Sequence, residues 1–170
     1  MKKIIMTVSG VLTAAICLVM NLALIPRIEA GTNGVRCFDM NFAYDFETVK
    51  QFLSLLSEDG RRVYLNIQLP LDFFYPIAYG VFFCLVLYSL SNGRKALLAF
   101  PILLAAFDYA ENICVLCLLK ASQPSQTLAT AASAATTAKT VLMYVTILMI
   151  LVFLVRYLRQ HRTNTNARLA

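Results

Sequence analysis

Two acidic side chains and one amide share a helical face within a stretch that is otherwise mostly apolar. Asp108, Glu111 and Asn112 interrupt the segment 96–119, which has the length and composition of a membrane-spanning helix. Ionisable side chains are costly in the hydrocarbon layer, and they usually face a bundle interior or a water-filled cavity that carries ions, protons or ligands. The sequence therefore predicts an acidic site inside a membrane protein.

The acidic pair needs partners, because two carboxylates one helical turn apart repel each other when both are ionised. We expect one of them to be protonated or bound to a cation near neutral pH. Partners are available in two other apolar segments, and depth along the helices predicts a polar path from the outer surface to the mid-membrane. The residues predicted to bind a proton, a cation or a small polar or lipid ligand are Asp108, Glu111, Asn112, Asp72, Tyr75, Tyr79 and Lys139.

Three uses of such a cluster compete. It can be a structural polar network that holds the helices together, a binding site, or the centre of an intramembrane enzyme that modifies a lipid through a carboxylate acid, base or metal ligand. The only histidine, His161, lies in the basic C-terminal tail, so the membrane segments contain no histidine-based metal triad and no Ser–His or Cys–His couple. Binding leads these readings, with lipid-directed catalysis as the alternative; neither the cofactor nor the metal is identified.

Composition places the site in a membrane. Of the 170 residues 59% are hydrophobic and 14% are charged, whereas about 25% of residues are charged in soluble domains. Four apolar stretches each approach the roughly 20 residues that cross a bilayer core. They predict an all-α membrane protein, a single polytopic domain built as a bundle of four transmembrane helices, over the approximate spans 4–25, 70–90, 96–119 and 140–158.

The net charge of +6 is distributed as the membrane requires. The N-terminus, the link between the second and third spans and the tail 159–170 carry basic residues and no acidic ones. The positive-inside rule predicts that both termini lie in the cytoplasm and that the loop 26–69 faces outward. The predicted location is the cell membrane. The basic tail is predicted to contact lipid headgroups and not nucleic acid. The basic residues at or near these cytoplasmic segments are Lys2, Lys3, Arg94, Lys95, Arg156, Arg159, Arg162 and Arg168.

The first apolar stretch is predicted to be a retained helix. It is longer than the 7–15 apolar residues usual in a cleaved signal peptide, and the approach to Ala30 does not have the small residues of a cleavage site. Small or polar side chains on one face predict close packing on a neighbour, and such faces also suit pairing of two copies. On the first helix this face comprises Gly10, Ala14, Cys17 and Asn21.

The long outer loop is predicted to contain a short amphipathic helix that lies on the membrane surface or caps the bundle. Apolar residues fall on one helical face between Asp45, a suitable N-cap, and Ser57, and Gly60 is a suitable stop. Pro70 suits the first turn of the second spanning helix. Pro76, inside that helix, cannot donate to the carbonyl of Asp72 and so predicts a kink with a free acceptor.

The segment 125–139 is nearly all alanine, threonine, serine and glutamine. Because alanine is the best helix former, we interpret it as an extension of the fourth helix beyond the membrane. This extension carries Lys139 and small residues on one face, which would let a neighbouring helix approach closely.

The cysteines support a second, redox alternative. Cys114 and Cys117 form a C-x-x-C near the predicted outer end of the third helix, and Cys37 lies in the outer loop. Four helices with this motif resemble the membrane thiol oxidases of the DsbB and vitamin K epoxide reductase families. The resemblance implies quinone-linked disulfide formation, with Cys114 and Cys117 redox-active and Cys37 as the shuttle. Those families use a second cysteine pair, whereas only Cys37 is available in the outer loop here. Two other interpretations of these cysteines are simple packing and a single disulfide from Cys37 to Cys114 or Cys117.

Overall fold

The chain folds into five helices in a computed structural model that describes the backbone of residues 1–169 and the side chains of residues 1–160. No residue from 1 to 169 lies in a β-strand. The predicted roles of His161, Arg162 and Arg168 in a basic tail lie outside the described side chains. The helices are α1 (Lys2–Glu29), α2 (Phe46–Leu55), α3 (Glu58–Leu90), α4 (Lys95–Lys120) and α5 (Gln126–Leu169).

Four of these helices are long and apolar enough to cross a membrane, namely α1, α3, α4 and the part of α5 from Gln126 to Gln160. The protein is therefore an all-α, multi-pass membrane protein, as predicted. Helix α3 contacts α1, α4 and α5, and the most extensive contact in the bundle joins α4 to α5. Large apolar side chains on the outside, such as Leu22 and Leu148, are more than half exposed, which is expected of surfaces that face lipid.

Helix α2 forms where the amphipathic pattern predicts it. The carboxylate of Asp45 caps it by accepting a hydrogen bond from the Thr48 backbone N–H at 2.8 Å. Val49 and Phe52 are fully buried, and the Phe52 ring packs edge-on against the ring of Phe38. The loop end of the bundle, meaning the end that carries residues 30–57, is thus covered by an aromatic cluster.

Two predicted boundaries at this end are wrong. Gly60 does not stop a helix, because Ser57 accepts a hydrogen bond from the Gly60 N–H and starts α3 instead. Gly60 is also where α3 meets the end of α1: a Cβ built on it would lie 3.0 Å from the carbonyl oxygen of Ile28. Pro70 does not open the second spanning helix, which begins at Glu58.

Proline enters these helices through widened turns. A π-helical turn at Met20–Leu24 precedes Pro26, and another at Tyr64–Gln68 precedes Pro70. In both cases the residue four positions before the proline is the central residue of the π turn. The wider turn accommodates the missing N–H and the bulk of the ring without ending the helix. The two π turns contact each other.

The inward face of α1 differs from the prediction. Ser9 and Ile16 are buried, whereas Ala14 and Asn21 are exposed. Gly10 does lie at a close approach, since a Cβ there would stand 2.8 Å from the ring of Phe82. The packing face is therefore rotated away from the stripe of small residues, toward bulkier side chains that interlock with α3.

At the opposite end of the bundle, α3 and α4 are joined by a tight turn. Asn92 and Gly93 adopt left-handed backbone conformations, with φ of 56° and 82°. Asparagine and glycine are the residues that tolerate this region best. The turn brings Arg94 and the start of α4 close to the far end of α5.

Candidate functional site

The structure brings together the lysine and both acidic residues of the predicted site. Lys139 Nζ lies 3.1 Å from Asp108 Oδ1 and forms an ion pair with Glu111 Oε2. All three side chains are largely buried, with exposed fractions of 18%, 9% and 0% for Lys139, Asp108 and Glu111. They form one compact cluster between α4 and α5.

The remaining carboxylate oxygens have hydroxyl donors. The Tyr79 hydroxyl donates to Asp108 Oδ2 at 2.8 Å, and the Thr136 hydroxyl donates to Glu111 Oε1. Tyr79 belongs to the predicted site. Thr136 was not among its predicted ligand-binding residues, although it lies one turn before Lys139 on the same buried face of α5. Charge-assisted hydrogen bonds of this kind are what allow carboxylates to remain ionised away from water.

Asp72 forms a second acidic position on α3. It is 6% exposed, and one of its oxygens accepts a hydrogen bond from Gln68 Nε2 at 3.1 Å. The backbone carbonyl of Asp72, which loses its helical donor to Pro76, does not remain free, because it accepts a hydrogen bond from Asn112 Nδ2 at 2.9 Å. The other polar atom of Gln68, its Oε1, is buried and has no hydrogen-bond partner among the described residues.

The loop after α1 contributes a further carboxylate to the cluster, that of Asp39. Asp39 lies in a single 3₁₀ turn, Phe38–Met40, and its Oδ1 is 3.5 Å from Lys139 Nζ. The Tyr64 hydroxyl donates to Asp39 Oδ2 at 3.2 Å. Asp39 is not among the predicted site residues, because a loop residue has no helical face to mark it. The only sequence signal near Asp39 is the neighbouring aromatic residue Phe38. In the structure Phe38 is fully buried and anchors this turn in the aromatic cluster.

These groups border a cavity of about 260 Å³ among α1, α3, α4 and α5. Three of the four carboxylates, Asp39, Asp72 and Asp108, line it together with Lys139, Gln68 and Tyr75. The rest of the wall is mostly apolar. Four of the seven predicted site residues thus reach the cavity, namely Asp72, Tyr75, Asp108 and Lys139. The other three lie behind the lining and contact its members, namely Tyr79, Glu111 and Asn112.

The charges of the cluster do not balance. Asp39, Asp108 and Glu111 form ion pairs with one ammonium group, that of Lys139, and Asp72 lines the same cavity, so full ionisation of these four acids would leave three negative charges in excess. Excess charge buried in a medium of low dielectric constant is costly unless it is neutralised. The arrangement therefore attracts positive charge from outside the cluster, whether as bound protons or as a cationic ligand.

The ammonium group of Lys139 occupies the centre of the acidic cluster, where a bound metal ion would otherwise lie. Among the side chains of residues 1–160, no three histidine, cysteine or acidic groups are arranged to hold a metal ion. Lys139 lies where the carboxylates converge and supplies the charge that a metal would supply.

The cysteines are free thiols that lie apart from the cavity lining. Cys37 is 1% exposed and belongs to the loop-end core, Cys114 is partly buried, and Cys117 is exposed. Burial, with nearby Asp39 and Glu29, raises the pKa of the Cys37 thiol. The structure does not pair Cys37 with either cysteine of the C-x-x-C, and the redox role stays a prediction.

The site cannot be assigned by likeness. The sequence matches no protein-family model, and no curated protein or solved structure is significantly similar to it.

Proposed function

We propose that this chain is a multi-pass protein of the cell membrane that binds a small, positively charged ligand in the acidic cavity. The observation that carries the proposal is the imbalance of four carboxylates around a single lysine. Buried carboxylates that served only to join helices would need no such excess, because one acid for each base satisfies a structural ion pair.

The cavity wall favours a cation that donates hydrogen bonds. Gln68 Oε1 is an unused acceptor, and the Asp72 carboxylate accepts a side-chain hydrogen bond from Gln68 Nε2. Lys139, the strongest donor in the lining, is already engaged by Asp39, Asp108 and Glu111. An ammonium group would satisfy these acceptors, and a proton is the smallest ligand that meets the same demand for charge.

The size and remaining surface of the cavity restrict the rest of the ligand. Its volume of about 260 Å³ lies just below the usual range of about 300–1,000 Å³ for small-molecule sites. Met20, Leu104 and Met143 supply an apolar wall that suits a short hydrocarbon body. We therefore propose a small organic ammonium ion as the ligand class, ahead of a metal ion.

Thermal unfolding of the purified full-length protein in detergent tests the proposal. The panel comprises methylammonium, ethylammonium, tetramethylammonium, sodium, magnesium and calcium, each measured over a range of pH. We expect the primary ammonium ions to raise the unfolding temperature and tetramethylammonium, which has no N–H donor, to have little effect. Asp72→Asn should abolish the gain, whereas Glu47→Gln, which removes an exposed acid on α2, should preserve it.

A double amide variant provides the decisive comparison. Asp108→Asn with Glu111→Gln keeps the shapes of both side chains and removes two negative charges. If wild type gains no stability from any cation or from protonation, and the double variant is equally or more stable, the cluster serves only to hold the helices together. That result would overturn the proposed function.

We further propose that both termini lie in the cytoplasm and the loop end of the bundle faces outward. The distribution of basic residues at the termini and in the α3–α4 turn supports this orientation. A fluorescent reporter that folds only in the cytoplasm, fused to the C-terminus, should be active. A reporter that requires export should be inactive at the same position, and the reverse pattern would contradict the orientation.

One feature favours a second candidate, an intramembrane enzyme that modifies a lipid. Tyr144 lines the cavity and is 66% exposed on the outside of the bundle, and the exposed Asn21 lies on the same wall. A ligand could therefore enter from the bilayer between α1 and α5. Incubation with a lipid extract, followed by mass spectrometry over time, separates the two candidates: an enzyme alters a lipid, and a binding protein leaves it unchanged.

A further inference from the structure

A second, smaller cavity lies at the end of the bundle opposite the loop end. Its volume is about 110 Å³, and its wall is formed by the α3–α4 turn and the far part of α5. Its lining includes Ser91, Asn92, Arg94 and Arg156 and contains no acidic residue. The charged residues of this lining are therefore all basic, whereas those of the acidic cavity are mostly acidic.

One buried hydroxyl group in this wall is unused. Ser91 is 3% exposed, and its Oγ has no hydrogen-bond partner among residues 1–160. Leaving a buried hydroxyl unpaired is unfavourable, and such groups are usually satisfied by a ligand, an ion or water. A buried hydroxyl donor in a wall that also contains two arginines and no acidic residue indicates an anionic ligand.

The guanidinium groups determine the ligand class. Arg94 follows the left-handed pair Asn92–Gly93, and Arg156 comes from α5, so the two cations reach the cavity from different elements. Arginine recognises phosphate oxygens through paired N–H donors. A water molecule occupies about 30 Å³ in the liquid, so a cavity of about 110 Å³ accepts a compact group of several heavy atoms.

We propose that this cavity is a binding site for a phosphate group, with Arg94 and Arg156 neutralising its charge and the Ser91 hydroxyl donating to one of its oxygens. Two sources share this chemistry, the headgroup of an anionic phospholipid and a soluble phosphate. The site is independent of the acidic cavity, because the two share no lining residue.

The test uses the full-length protein in nanodiscs, and it measures retained lipid by native mass spectrometry together with the unfolding temperature. One set of nanodiscs contains phosphatidylglycerol, one contains only phosphatidylcholine, and a third contains phosphatidylcholine with added inorganic phosphate. We expect selective retention of phosphatidylglycerol or stabilisation by inorganic phosphate, and the arm that responds identifies the source. Arg94→Gln and Arg156→Gln should each weaken binding about fivefold. Lys95→Gln, an exposed basic neighbour outside the lining, should have little effect.

Ser91→Ala distinguishes a site from a general attraction of basic residues to anionic lipid. The substitution removes an unpaired buried hydroxyl, so the unliganded protein should be at least as stable as wild type, while phosphate binding weakens. Equal losses in Lys95→Gln and Arg94→Gln, with Ser91→Ala unchanged in binding, would overturn the proposal. Absence of selectivity in wild type, in all three nanodisc preparations, would do the same.

Discussion

The side-chain amide of Asn112 donates a hydrogen bond to the backbone carbonyl of Asp72 across the α3–α4 interface, with an N···O distance of 2.9 Å. That carbonyl lacks its helical donor because Pro76 has no N–H. A buried polar group left unpaired costs about 1–3 kcal/mol. We therefore expect Asn112→Ala to lower the free energy of unfolding by about that amount, measured by reversible denaturation in mixed micelles.

A double-mutant cycle checks the cause. In Pro76→Ala the new backbone N–H can donate to the Asp72 carbonyl, so Asn112→Ala should be less destabilising in that background than in wild type. Equal effects of Asn112→Ala in the two backgrounds would show that the amide stabilises the bundle by some other contact.

Lys139 is predicted to be the residue on which the acidic cluster depends most. Lys139→Met leaves Asp108 and Glu111 buried without their cation, and breaking a buried pair in this way typically costs about 3–5 kcal/mol. The loss should be smaller at acidic pH, where protonation neutralises the carboxylates. Lys120→Met, which removes an exposed lysine at the end of α4, is the matched control and should change stability little.

Two glycine substitutions should have opposite signs. Alanine is favoured over glycine inside a helix by about 1 kcal/mol. At Gly80 the nearest atom to an added Cβ is 3.9 Å away, so Gly80→Ala should stabilise the protein. At Gly60 the added Cβ would meet the Ile28 carbonyl oxygen at 3.0 Å, so Gly60→Ala should destabilise it. Thermal unfolding of the two variants side by side measures both, and a gain at Gly60 would contradict the close approach.

The cap of α2 predicts a pH dependence outside the membrane segments. Hydrogen bonds from the Thr48 backbone N–H and hydroxyl hold the pKa of Asp45 below its ordinary value of 3.8. Because the native pKa is lowered, this cap stabilises the helix above pH values near 4 and is lost as the pH falls below them. Carboxyl NMR titration should show a depressed midpoint in wild type. Thr48→Val should move that midpoint back toward the ordinary value.

The redox alternative predicts that Cys37 is reactive, whereas the burial of its thiol favours an inert one. Cys37 is buried, and its raised pKa keeps it protonated and unreactive at neutral pH. We expect alkylation of the native protein to leave Cys37 unmodified, with full modification after denaturation. Intact mass spectrometry with and without reductant would reveal a bond from Cys37 to Cys114 or Cys117, and its presence in the purified protein would support the thiol oxidase reading.

The sequence contains enough information to predict the helices and the inward faces of α4 and α5. Each apolar stretch is long enough to span a bilayer, and the polar residues at helical spacing, such as Asp108 and Lys139, are buried together. Asp39 and Gln68 escaped prediction for two physical reasons. Asp39 depends on how a loop folds back over the bundle, and Gln68 lies in a π turn, where the helical period is interrupted.

Each π turn also rotates the side-chain positions that follow it around the helix axis, relative to those that precede it. Such a turn contains one residue more than regular α-helical geometry would use, and one residue corresponds to a rotation of about 100° around the axis. The segments Ile25–Glu29 and Glu58–Val63 therefore present to each other a face that differs from the one the rest of α1 and α3 present to the bundle. Deleting a single residue from Met20–Leu24 or Tyr64–Gln68 would remove the wider turn and rotate one segment out of alignment with the other. The contact between Gly60 and Ile28 thus depends on chain length as much as on side-chain identity.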